Sequence, residues 1–174
     1  MRRAALAGFA GGLIFLAGRA VAQQPPVLAS HTDYSSDAAR RLPIVCKQGD
    51  IELAPGKSMG ELFGADWPAE PAASVSRQPA KLVQKAKAIW PRGLETVSAV
   101  AVVATLVDAG GRPISAHPIC VTRNGFDKAA ARMAMRSRYA PALIDGKPVT
   151  SVIAFPAVFT SWRVLRRGEF EKAD

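Results

Sequence analysis

Side chains that do chemistry are scarce in this chain of 174 residues. It has two histidines, His31 and His117, and neither has a second ligand-type residue at a metal-binding spacing; His117 lies in an expected strand beside Pro118. No GxSxG, HExxH or phosphate-loop pattern occurs, so the common nucleophile, zinc and nucleotide signatures are all missing. Asp108, Asp127 and Asp145 fall at expected turns and at a helix start, where Asp serves the local backbone. With no convergent set of polar groups to name, no catalytic residue, no metal ligand and no cofactor site is assigned, and a binding protein is expected rather than an enzyme. No internal repeat is visible either.

Acid is also in short supply. Lys and Arg number 23 against 14 Asp and Glu, a formal net charge of +9. Residues 1 to 22 contain Arg2, Arg3 and Arg19 and no acid, so losing those three charges would leave +6. Their pattern is that of a secretory signal peptide: a charged start at Met1-Arg2-Arg3, an apolar run from Ala4 to Gly18, and the small-residue site Ala20-Val21-Ala22 before Gln23. The alternative is an uncleaved inner-membrane anchor facing the periplasm, but this run is rich in Gly and Ala and shorter than the about 20 apolar residues a spanning helix needs. A periplasmic protein is expected. Its basic surface suits an anionic membrane, a cell-wall polymer or an acidic protein segment better than nucleic acid.

The cysteines are two, Cys46 and Cys120, with no CxxC spacing. In an oxidising compartment such a pair is more often a disulfide than a metal or redox site. Spacing alone does not show that the sulfurs meet, so bonded and free forms both stand at this stage.

Four stretches follow along the chain: the signal segment 1 to 22, an irregular region and linker 23 to 80, a folded domain 81 to 160, and a polar tail 161 to 174. Within the second, Pro43 to Cys46 and Ile51 to Leu53 could pair as a small hairpin around Gln48-Gly49-Asp50. Pro55, Pro68, Pro71 and Pro79 mark a linker, with one helical turn near residues 59 to 63. Residues 81 to 89 place Leu82, Val83, Ala86 and Ile89 at helical spacing, ended by Trp90-Pro91. Two β-rich runs, 97 to 107 and 114 to 121, flank Asp108-Ala109-Gly110-Gly111-Arg112 and read as an antiparallel hairpin whose first strand is apolar on both faces. Pro118 confines part of the second strand to a bulge or an unpaired position.

The main helix is expected from Phe126 to about Tyr139. Phe126, Ala129, Ala130, Met133, Ala134 and Ser137 share one side, with Lys128, Arg132 and Arg136 opposite, Asn124 as its cap and Pro141 beyond its end. A turn at Asp145-Gly146-Lys147-Pro148 then leads into a last strand, residues 149 to 159, with Val149, Ile153 and Phe155 as its core contacts. The expected fold is α+β: a small three-stranded antiparallel sheet packed by one main helix and a short N-terminal helix, behind a largely irregular extension.

Residues 90 to 159 resemble the C-terminal domain of the TonB family of energy transducers. The resemblance is carried by Trp90-Pro91, by Val107 to Arg112 at the hairpin turn, by Phe126-Asp127-Lys128-Ala129-Ala130 at the helix start, and by Arg138-Tyr139-Ala140-Pro141-Ala142 with Asp145-Gly146-Lys147-Pro148-Val149. It covers under half of the chain, and Ser137 stands where the family usually places a bulky aromatic. The resemblance implies a periplasmic domain that binds an outer-membrane transporter by pairing an extended segment of it with an open sheet edge, in support of transport across the envelope. The residues it implicates are Val149, Thr150, Ser151, Val152, Ile153, Ala154 and Phe155, with Trp90 and the basic Lys147 and Arg163 nearby. An edge strand has unpaired backbone donors and acceptors, which strand addition uses. The alternative is a structural envelope protein that forms a homodimer through that edge or binds anionic cell-wall material.

The intact mass of the chain recovered from a Gram-negative envelope tests the leader directly. A start at Gln23 is expected, and a mass retaining residues 1 to 22 would keep the N-terminus in the membrane.

Overall fold

A computed structural model of the chain describes residues 40 to 68 and 76 to 161. The short leading elements are β1 (Ile51–Glu52) and α1 (Met59–Phe63), with a 3-10 turn at Gly64–Asp66. Then come β2 (Arg77–Gln78), β3 (Lys81–Gln84), β4 (Ala99–Val107) and β5 (Pro113–Val121). After α2 (Asp127–Arg136) follow β6 (Arg138–Ala140), β7 (Ala142–Ile144), β8 (Lys147–Val149) and β9 (Ser151–Phe159). The principal sheet has the order β1-β5-β4-β9, antiparallel throughout; β2-β7-β8 and β3-β6 form two smaller sheets. The class is α+β, as expected. The principal sheet has a fourth, two-residue strand in place of the expected three.

The hairpin of β4 and β5 closes where Gly110, Gly111 and Asp108 were read as a turn. Asp108 Oδ1 accepts from the amides of Gly110 and Arg112, 2.8 Å each, so one carboxylate oxygen holds both arms of the loop. The register shifts beside Pro118, where Val102 faces Cys120 and Val103 faces Pro118, so the extra residue lies in β5 and the proline sits at a bulge. β9 returns antiparallel beside β4 with no shift, from Ala99 opposite Phe159 to Val107 opposite Ser151.

Because β4 is apolar on both sides, the sheet is covered on both. Ala101, Val103 and Val107 belong to a core with Phe126, Ala130 and Met133 of the α2 region and Phe155 and Phe159 of β9. The rings of Phe126 and Phe159 meet at a tilt, their centroids 5.0 Å apart, and each ring so buried contributes roughly 1.5–3 kcal/mol. Ala104 and Leu106 face the opposite way into a second core with Met59, Phe63, Trp67 and Ile119. That second cover comes from a stretch whose prolines suggested a linker. Its helix does form at Met59–Phe63, where Ser58 and Glu61 make a capping box and Met59 is fully buried.

Three local expectations fail for identifiable reasons. Residues 81 to 89 are not a helix: Lys81–Gln84 pair with β6 instead, and Val83 and Ile89 of the supposed apolar stripe are 68% and 52% exposed. A helix this short needs that stripe buried, whereas pairing satisfies the backbone and still lays Leu82 against the core. Residues 43 to 53 do not pair with each other; Pro43 bridges to Ser58, and Ile51 and Glu52 take Val121 and Cys120 as partners. Asn124 does not cap α2, whose N-cap is Phe126 without a side-chain hydrogen bond, because Gly125 at φ +87° redirects the chain first.

The end of α2 gives Ser137 a role of its own. The helix stops at Arg136, and buried Ser137 donates from Oγ to the Met133 carbonyl (2.8 Å) while accepting from the Ala86 amide (3.1 Å). A polar tie between the helix end and the 85 to 90 segment stands in place of packing volume.

Cys46 and Cys120 are disulfide-bonded, with Cα atoms 5.7 Å apart and a separation of 74 positions in sequence. In the chain-entropy account a loop of that size contributes about 4 kcal/mol. The paired variant Cys46→Ser/Cys120→Ser should therefore melt well below the parent, with residues 40 to 67 the first to gain protease sensitivity while hydrogen exchange in β4 and α2 remains slow. Equal melting of the two proteins in oxidising buffer would show that the bond constrains little.

Candidate functional site

The register assigns a direction to every backbone group of β9. The Val100 carbonyl accepts from the Thr122 amide at 2.9 Å, so the even-numbered residues of β4 face β5 and the odd-numbered ones face β9. Their partners Ser151, Ile153, Phe155, Ala157 and Phe159 turn their amides and carbonyls towards β4. Val152, Ala154, Pro156 and Val158 therefore turn theirs outward. Pro156, which has no N–H, occupies one of these outward positions, the place an edge strand tolerates proline. Among the described residues no strand pairs with this outer side.

The expected site residues are only partly brought together. Ser151, Val152, Ile153, Ala154 and Phe155 all lie in β9, but Val149 belongs to β8 and pairs with Ala142 in the small sheet, with Thr150 as the joint between them. Trp90 lies at the opposite end of the strand. Its ring meets Phe159 edge-on at 5.7 Å, and its Nε1 donates to the Val97 carbonyl at 3.1 Å. Nine residues of strand separate the two ends by roughly 27 Å, so Trp90 and Val149 cannot contact one side chain of a partner together. Arg163 lies outside the described residues, and so does His31.

Pairing and exposure diverge along β9. It is the last strand in the sheet order, yet Ser151, Val152, Ala154, Phe155 and Ala157 have no exposed area, and only Val158 is well exposed, at 38%. Ser151 Oγ is buried without a hydrogen-bond partner. From Ser151 to Phe155 the strand is covered, backbone included, and what it can present to a partner lies at its far end, around Pro156 and Val158. Sequence reasoning missed the outward-facing proline at 156 as an edge marker, although a proline inside an apolar alternating run is a legible signal.

Other chemistry is sparse. Among the described residues no three His, Cys, Asp or Glu side chains gather as metal ligands would, and no described helix is long and apolar enough to cross a membrane. His117 packs edge-on against Phe63 at 4.9 Å. Burial pushes its pKa below the usual 6.5, with Asp66 pulling the other way and Lys57 adding to the decrease. The Tyr139 hydroxyl, pushed up to about 12 mainly by burial, donates to the Ala134 carbonyl at 3.0 Å and serves the helix end. No family model matches the chain, and no curated protein or solved structure matches it either.

The lowered His117 pKa sets a direction for acid sensitivity. The unfolded chain takes up this proton near 6.5 and the folded one only at lower pH, so stability is lost as pH falls below 6.5. The melting temperature should drop across this range in the parent and stay flatter in His117→Gln. Losses common to both should begin only lower, where Glu61 and Glu95, held below 4.5 by hydrogen bonds, take up protons. Parallel curves for parent and variant above that range would exclude His117 as the source.

Proposed function

We propose that this chain is a protein-binding module of the bacterial envelope, acting by strand addition at the outer edge of β9 in the manner of TonB C-terminal domains. Its partner is an extended, periplasm-facing segment of an outer-membrane transporter or of another envelope protein. The observation that carries the reading is the outward-facing, exposed Val158 near the end of a nine-residue strand that ends the sheet order among the described residues. Main-chain bonding of this kind supplies affinity without a dedicated pocket. The return of the third long strand beside the first leaves β9 at the end of the sheet order among the described residues, which is the arrangement that strand addition requires.

Burial of Ala154 limits where binding starts. The exposed end at Val158, beside Trp90 and Phe159, is the natural point of entry, with pairing then extending towards Ala154. The second reading is a structural envelope protein held to anionic material by its basic surface; it is favoured by the exposed Lys128, Arg132 and Arg136 along α2. Salt weakens that mode strongly and strand pairing much less.

Hydrogen exchange with a synthetic peptide from the periplasmic end of an outer-membrane transporter separates the two. The amides of Ala154 and Val158 should gain protection while those of Phe155 and Ala157 change little. Val158→Pro, which removes one outward donor and no bond to β4, should weaken capture by about tenfold, or 1.4 kcal/mol, with its melting temperature unchanged. Undiminished capture by a folded Val158→Pro, with no protection at Ala154, would end the strand-addition reading.

A further inference from the structure

A second surface, independent of the β9 edge, lies where the β4–β5 turn meets β6. Gly110, Gly111, Arg112, Arg138 and Tyr139 line a cavity of about 420 Å³ there. Tyr139 is buried and its hydroxyl is committed to the Ala134 carbonyl, while the two arginines are exposed. Neither guanidinium has an ion-pair partner among the described residues. The carboxylate of the turn, Asp108, is outside the lining, and its Oδ1 already accepts from the amides of Gly110 and Arg112. Among the described residues the lining thus has two positive charges and no acid.

The two arginines come from segments far apart in sequence and are held side by side by the backbone. Gly111, at φ +79°, packs so closely on β6 that a Cβ there would collide with the Tyr139 carbonyl oxygen. Asp108 fixes the turn from within, and β6 is fixed by pairing with β3, where Arg138 lies opposite Gln84. The backbone positions of the two arginines are thereby fixed relative to each other, and what a ligand must still order is the two exposed side chains.

We propose that this cavity is a binding site for a phosphate group, free or as a small phosphate monoester, gripped between the Arg112 and Arg138 guanidinium forks. Two planar forks present paired N–H donors to oxygens of one centre. A carboxylate would neutralise one of the two charges, whereas a phosphate monoester near neutral pH carries about −1.5 to −2. The volume leaves room for the substituent of an ester.

The test is a titration of the folded, oxidised chain with inorganic phosphate at constant ionic strength, with acetate and chloride in parallel. Arginine Nε and Gly110 and Gly111 amide resonances are followed by NMR. Saturable shifts with phosphate are expected, weakened about tenfold by Arg112→Gln or by Arg138→Gln, a loss of the size expected for a charge-assisted fork. Arg112→Lys should recover only part of the loss, because it keeps the charge but not the fork. Melting curves matching the parent establish that each variant is folded. A phosphate response no larger than that to chloride would overturn the site, as would full binding by folded Arg112→Gln and Arg138→Gln. Tighter binding of acetate than of phosphate would overturn the assignment of the ligand.

Discussion

The central strand β4 has apolar side chains on both faces, and each face must find cover. This one constraint organises most of the molecule. α2 supplies the cover on one side through Phe126, Ala130 and Met133, and the stretch around α1 supplies it on the other through Met59 and Phe63. The disulfide then ties the second cover to the sheet at Cys120, in the same strand that pairs with β1. A covering layer with only a five-residue helix has little local stability of its own, and the covalent tie offsets that weakness.

Legibility in the sequence followed how local the deciding interactions were. The turn at Asp108 to Arg112, the hairpin about it and the amphipathic helix after Phe126 are settled within a dozen residues, and all three stood out. The double-sided apolarity of β4 was also plain, and it announced a second cover without saying which segment would supply it. Residues 81 to 84 went wrong because their partner, β6, lies far along the chain; helical spacing was the only pattern available locally. Ile51 and Glu52 were given the wrong partner for a similar reason, since the outer edge of β5 cannot be seen from residues 43 to 53. Ser137 looked like a defect until Ala86 and Met133 appeared around it.

The candidate binding edge was legible as an address and not as a surface. Residues 151 to 155 were read as the exposed margin of the sheet, and they do form its last strand. Their side chains are nevertheless core, because a strand beside β4 inherits the same two covered faces. Val149 parted from the group because the Asp145-Gly146 turn closes a hairpin of its own, pairing Val149 with Ala142. The direction of each amide depends on register, and register required the long-range partner.

Pro156 bears on what the outer margin of this sheet can build. A margin with a full row of outward donors can pair with the same margin of a second copy. Here the row is interrupted at one outward position by a residue that cannot donate, close to its exposed end. One visiting strand can still bond on either side of the gap. A second copy of the same margin, paired antiparallel, would bring its own gap to the contact and double the loss. If the margin works by strand addition as proposed, the gap costs self-pairing more than it costs a single guest.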